Sequence, residues 1–153
     1  MLSAASYPGQ VALIDEMGVH ERLKQYFYTF SDDNYMHFFV LKSYEEVMDD
    51  INVCLLEGPI RLDTGGCVRV GDFMYYYDRL IVACEPNMFD RIGGRSLEMA
   101  GDANGLVYVD ESMRSSVSNV WVVGSMVAPK HKTVQLQVEE GIVAGKSAAI
   151  LSY

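Results

Sequence analysis

The last third of the chain carries the pattern that most restricts its fold. Val120–Gly124, which reads VWVVG, is an apolar run that ends in a glycine and predicts a short buried strand. Thr133–Leu151 follows after a loop and repeats small residues at the spacing of one helix face. These residues are Gly141, Ala144, Gly145, Ala148 and Ala149. We therefore predict a strand, a loop and a helix that packs very close to the strand.

Earlier segments add further strands and turns to this unit. Gln10–Ile14 and Asp78–Ala83 are apolar runs that predict buried strands. Thr64–Gly66 lies between RLD and CVRV, a hairpin pattern that later glycine turns extend into a β-meander. Glu85–Asn104 has no hydrophobic period and predicts a loop or a short irregular helix. The order predicts an α/β fold with a mostly parallel main sheet and a small β-meander, as a single domain over residues 1–153.

Composition excludes several classes of function. The chain holds 12 Lys and Arg against 21 Asp and Glu, a formal net charge of −9. We expect no nucleic-acid partner, because no basic stripe is present to neutralise phosphates. No apolar run approaches the roughly 20 residues of a membrane span, so we expect no membrane association. The N-terminus lacks the basic and apolar regions of a signal peptide, which predicts a cytoplasmic protein.

The cysteines and histidines do not form a recognisable reactive set. Cys54, Cys67 and Cys84 never stand in C-x-x-C spacing, so the sequence contains neither a redox dithiol nor a zinc tetrad. The ordinary role of such cysteines is that of a small buried hydrophobe. Cys84 differs from the other two because it follows an apolar strand and is predicted to lie at its carboxyl end. The three histidines share no ligand spacing, and we predict no metal site.

The run Gly105–Gly124, which reads GLVYVDESMRSSVSNVWVVG, resembles the closing unit of a known family of FAD domains. The family is the thioredoxin-reductase-like class of the pyridine nucleotide-disulfide oxidoreductases. With weaker matches at Gln10–Asp15 and Asn52–Ala83 and the helix that follows, the resemblance covers about two thirds of the chain. The residues that fall in register in the closing unit are Asp110, Glu111, Met113, Ser116, Val117, Val120, Trp121 and Gly124.

The resemblance implies a three-layer FAD/NAD(P)-binding-like domain with FAD as the candidate cofactor. It places Asp15 at the carboxylate that binds the ribose, and Gly124 at the end of the strand that approaches the flavin. Ser125 stands where the family has an aspartate, and Thr133 lies at the helix terminus that points toward the isoalloxazine ring. Asp15, Gly124, Ser125 and Thr133 are therefore the candidate cofactor contacts, and no catalytic residue is assigned. Close packing alone also explains the small residues of the helix.

Several departures from the family leave two functions open. The G-x-G-x-x-G loop is absent before Asp15, Cys84-Glu85 replaces Thr-Gly, and Glu85–Asn104 stands in place of the NAD domain. One hypothesis is a flavoprotein-like oxidoreductase relative that binds FAD and receives electrons from a redox partner protein. The alternative is a non-catalytic, cofactor-free domain that acts as an oligomerisation or partner subunit. Whether the chain is an enzyme stays open, and a dimer or hetero-complex is expected because a sheet neighbour is missing.

Overall fold

A computed structural model of the protein describes residues 11–15, 53–128 and 132–150. The sequence Val19–Phe30 carries apolar residues at helical spacing, which predicts a helix, and this segment lies outside the described residues. The strands are β1 (Val11–Asp15), β2 (Val53–Glu57), β3 (Ile60–Asp63), β4 (Cys67–Val70), β5 (Phe73–Tyr76), β6 (Leu80–Val82) and β7 (Val120–Val122). The helices are α1 (Pro86–Arg91) and α2 (Val134–Ile150), with 3₁₀ turns at Gly94–Leu97 and Gly124–Met126.

The described strands form three small sheets. β1 pairs with β2 in parallel, and β6 pairs with β7 in parallel. β3, β4 and β5 form an antiparallel meander in that order, which confirms the predicted hairpin and β-meander. The fold is thus mixed α/β with small sheets. The larger three-layer arrangement around one parallel sheet stays a prediction, because the described strands pair only within these three groups.

Alternating polarity explains how the meander packs. Leu62, Val68 and Val70 are buried, whereas Arg61 and Arg69 on the opposite face are exposed. A period of two is the pattern of a sheet with one face in the core and one face toward solvent. The meander therefore covers one side of the main core with its apolar face.

The β6–β7 pair lies between two apolar clusters. Its first face joins the main core through Val82, Val120 and Val122. Its other face contacts α2, where Trp121 and Val123 pack against the fully buried small residues of the helix, Ala144 and Ala148. The indole Nε1 of Trp121 also donates a hydrogen bond to Ser147 Oγ at 3.0 Å. The predicted strand and the close-packed helix are confirmed.

Two segments differ in detail from the sequence-based expectation. The apolar residues that open the run Gly105–Gly124 predict a further strand, but Val107 makes only isolated bridges, to Gly101 and Val127. Asp102 accepts the N–H groups of Asn104 and Leu106, and these turn bonds replace a ladder. Glu85–Asn104 contains α1 and a 3₁₀ turn, in agreement with the predicted short irregular helix. No helix of the described residues has the length and apolar composition that crossing a membrane requires.

A close approach at Gly94 yields a test of this packing. A Cβ at Gly94 would lie 2.2 Å from Cε2 of the Phe89 ring, which is itself almost completely buried. We expect Gly94→Ala to lower the free energy of unfolding by about 1–3 kcal/mol through overpacking. Urea unfolding followed by the fluorescence of the single tryptophan measures this change. Gly65→Ala is the matched control, because nothing lies within 4 Å of its Cβ; equal midpoints for the two variants would contradict the packing.

Candidate functional site

The candidate site lies at the carboxyl end of β7. Gly124 begins the 3₁₀ turn there with a φ of +75°, a left-handed conformation that favours glycine. A Cβ at this position would also lie 3.3 Å from Oε1 of Gln137 on α2. The strand end and the helix therefore approach each other closely, as the resemblance to the FAD domains implies.

The backbone N–H of Gly124 is bound by a carboxylate of the protein itself. It donates a hydrogen bond of 2.8 Å to Glu140 Oε2, in the second turn of α2. The other oxygen, Oε1, forms an ion pair with Lys132 Nζ. Only 5% of the Lys132 side chain and 8% of the Glu140 side chain are exposed. Charges at this depth are tolerated when they are paired and hydrogen-bonded, and here both conditions hold.

Thr133 is used to begin the helix. Its Oγ1 accepts the N–H of Leu136 at 3.2 Å, and its carbonyl accepts the N–H of Gln137 at 3.2 Å. Thr133 is thus the N-cap of α2, where a hydroxyl satisfies one of the unpaired N–H groups of the first turn. The predicted position at the helix terminus is correct, but the side chain is engaged by the helix.

Ser125 lies exposed within the 3₁₀ turn that follows β7. Asp15 is the last residue of β1 and stands in register with Glu57 of β2. Gly124 follows the β6–β7 pair, so the described hydrogen bonds place Asp15 and Gly124 in different sheets. The structure thus brings Gly124, Ser125 and Thr133 to the β7 end of α2 and does not join Asp15 to them.

The sequence patterns did not predict the two residues that complete this cluster, Lys132 and Glu140. A signal for Glu140 was present, because it stands four residues before Ala144 and eight before Ala148. Glu140 therefore lies on the same helix face as the small residues that pack against β7, which places a charged side chain in a buried position. Such a residue needs a partner, and the partners are Lys132 and the Gly124 N–H.

The cysteines take different environments. Cys67 is buried, as predicted, whereas Cys54 is exposed because its position in β2 faces outward. Cys84 is half-buried just beyond the end of β6. Burial raises the pKa of the Tyr77 phenol above its usual value, and the charge of the Cys67 thiol adds to that rise. No group of His, Cys, Asp or Glu within residues 11–15, 53–128 and 132–150 is arranged to hold a metal ion.

Two of the residues that carry the family resemblance, Asp110 and Ser116, form hydrogen bonds that fold the segment before β7. The Asp110 carboxylate accepts the Ser112 hydroxyl at 2.7 Å and the N–H groups of Ser112 and Arg114. These bonds, the Ser112 hydroxyl first, hold the pKa of Asp110 below its usual value. Ser116 Oγ accepts the N–H of Ala100 at 2.8 Å. The motif therefore folds a turn that delivers the chain into β7.

The buried pair predicts non-additive mutational effects. We expect Glu140→Leu alone to lower the free energy of unfolding by about 3–5 kcal/mol, because it leaves the Lys132 ammonium buried without a counterion. Lys132→Met alone should have a similar cost, because it leaves the Glu140 carboxylate buried without a counterion. The double variant removes both charges, so its cost should be clearly less than the sum of the two single costs. Urea unfolding of the four proteins gives the coupling energy, and simple additivity would contradict a buried pair.

The lowered pKa of Asp110 predicts a pH dependence of stability. A depressed folded-state pKa stabilises the protein above the unfolded pKa of about 3.9, and this contribution is lost as the pH falls through the folded pKa. Asp110→Asn should therefore lower the urea midpoint at neutral pH and reduce its change on acidification. The exposed neighbour Glu111→Gln is the control. If both variants keep the same acid dependence, the turn does not hold the Asp110 carboxylate as described.

Comparisons with known proteins give distant structural neighbours. No protein-family model matches the chain, and no curated protein matches it. A thioredoxin reductase from Gloeobacter violaceus is 22% identical, with 70% of this chain and 35% of that chain covered and a TM-score of 0.37. A thioredoxin reductase from Streptococcus pyogenes is 13% identical over 69% and 39%, with a TM-score of 0.36. A water-forming NADH oxidase from Lactobacillus brevis, bound to NADH, is 21% identical over 76% and 28%, with a TM-score of 0.35.

The chain spans about a third of the length of these neighbours. They include thioredoxin reductases, the type of enzyme after which the class resembled by Gly105–Gly124 is named.

Proposed function

We propose that this chain is a non-catalytic, cofactor-free relative of the FAD domains that serves as a partner subunit. The observation that carries the proposal is the hydrogen bond from the Gly124 N–H to Glu140 Oε2. At the strand end where the resemblance implies a flavin, the chain supplies a carboxylate of its own. Lys132 neutralises that carboxylate, so the site is satisfied internally.

The predicted cofactor contacts do not fit FAD in the way that the resemblance implies. The Gly124 N–H is occupied by Glu140, and the Thr133 hydroxyl is occupied by the N–H of Leu136. Ser125 has no carboxylate to offer to the ribityl chain. A FAD group that took the Gly124 N–H would have to displace Glu140 Oε2, which would leave one oxygen of this buried carboxylate without its hydrogen-bond donor. No step of a redox reaction is therefore assigned to these residues.

A second candidate function is a flavoprotein-like oxidoreductase relative that receives electrons from a redox partner. The observation that favours it is the left-handed Gly124 at the carboxyl end of a parallel strand pair, followed by the N-terminus of α2. In open α/β sheets, ligands bind in the crevice beyond the carboxyl ends of the strands. FAD, Asp15 and the three-layer parallel sheet belong to this second proposal.

FAD reconstitution separates the two functions. Purified protein is incubated with FAD and desalted, and flavin absorbance is compared with protein concentration. We expect the wild type to remain colourless, and we expect the same of Ser125→Asp, because the added carboxylate does not free the Gly124 N–H. Ser118→Asp, at an exposed serine before β7, controls for the added charge. Near-stoichiometric flavin in the wild type would overturn the first proposal and support the second, and flavin gained only by Ser125→Asp would overturn the argument from Glu140.

A further inference from the structure

The edge of the β-meander presents an unusual amount of apolar surface. β5 is the last strand in the order β3-β4-β5, and among the described strands it pairs with β4 alone. Phe73 is 69% exposed, Met74 44% and Tyr76 78%. An exposed edge with unpaired backbone groups and apolar side chains is a template for a further strand.

Two arginines stand directly opposite each other beside this edge. Arg61 of β3 is in register with Arg69 of β4, and Arg69 is in register with Met74 of β5. The three side chains form one row on the solvent-facing side of the meander. Like charges opposite each other destabilise a sheet, and neither guanidinium forms an ion pair with a residue that the structure describes. In a chain of net charge −9, this row places two positive charges together, with the exposed Asp63 carboxylate two residues along β3 on the same face.

We propose that the β5 edge binds an extended acidic segment of a partner protein by strand addition. The backbone of the added segment pairs with β5, and its acidic side chains lie on the face of Met74 and Arg69. An added strand stands about 9.6 Å from β4, two strand spacings, which the combined lengths of a glutamate and an arginine side chain can span. On the opposite face, the exposed Phe73 and the half-buried Tyr75 favour apolar neighbours, whereas Tyr76 lies beside Met74 on the acidic face. The matching segment therefore alternates acidic and apolar residues.

The free side of β5, where none of the described strands pairs, favours a polypeptide over other anionic ligands. A nucleic acid or a lipid headgroup offers phosphates to Arg61 and Arg69, but it offers no ladder of N–H and C=O groups to β5. Only an extended chain satisfies the edge, the apolar side chains and the arginine row together. The proposal specifies the partner for the subunit role proposed above and rests on it; FAD reconstitution tests that role, whereas peptide binding tests this surface.

The test uses a fluorescently labelled peptide of alternating glutamate and valine, titrated with the whole protein. We expect saturable binding that weakens with added salt, whereas a lysine–valine peptide does not bind. Arg69→Glu should weaken binding about fivefold or more, because a salt-sensitive attraction becomes a repulsion. Lys146→Glu, an equal charge change on the exposed side of α2, should leave binding unchanged. Arg69→Gln, measured in parallel, gives an intermediate loss and serves if Arg69→Glu does not fold.

Several outcomes would overturn the proposal. They are failure of the glutamate–valine peptide to bind the wild type, equal binding of the lysine–valine peptide, and equal effects of Arg69→Glu and Lys146→Glu. Binding to phosphatidylserine vesicles or to single-stranded RNA with no binding of the peptide would assign the arginine row to another class of ligand. If the peptide binds and the wild type also takes up FAD, the surface is retained and the cofactor-free role fails.

Discussion

The closing unit of this protein depends on one buried ion pair and the backbone group that it holds. Lys132 and Glu140 are almost completely excluded from solvent, and Glu140 binds the N–H of Gly124. The pair joins the start of helix α2, its second turn and the end of strand β7. Breaking it on one side leaves a charge that the surroundings cannot solvate, so the three elements are held together or released together.

The packing around the pair follows from the size of the residues on α2. Ala144 and Ala148 are small enough for the helix to lie against Trp121 and Val123, with Ser147 bonded to the indole. This closeness brings Glu140 within reach of the strand end. The close approach of α2 to β7 could present the helix N-terminus to a cofactor. Here it lets Glu140 of the helix accept the hydrogen bond of the Gly124 N–H at the strand end.

The local patterns of the sequence predicted most of the described fold. The hairpin around Thr64–Gly66, the strand before Gly124 and the close-packed helix were all predicted, because period, turn chemistry and residue size are local properties. The start of the run Gly105–Gly124 was predicted as a strand, but Val107 forms only isolated bridges there, and the Leu106 N–H is bound by the Asp102 carboxylate. The site was predicted less well, since the partners of Glu140 depend on a tertiary approach that periodicity does not encode. The positions of Thr133 and Gly124 were predicted. Their hydrogen-bond partners, the Leu136 N–H and the Glu140 carboxylate, were not.

The spacing within the buried pair also limits how the chain can change in length. Lys132 and Glu140 are eight residues apart, and Ala144 and Ala148 follow at whole steps of the same helical stripe. One residue inserted in the helix between Val134 and Glu140 would rotate the carboxylate by about 100° about the helix axis, since a helix turns once in 3.6 residues. An insertion or deletion in the first two turns of α2 would therefore separate the two charged groups. Among natural relatives, a constant number of residues between the positions of Lys132 and Glu140 would mark those that keep the buried ion pair and its bond to Gly124.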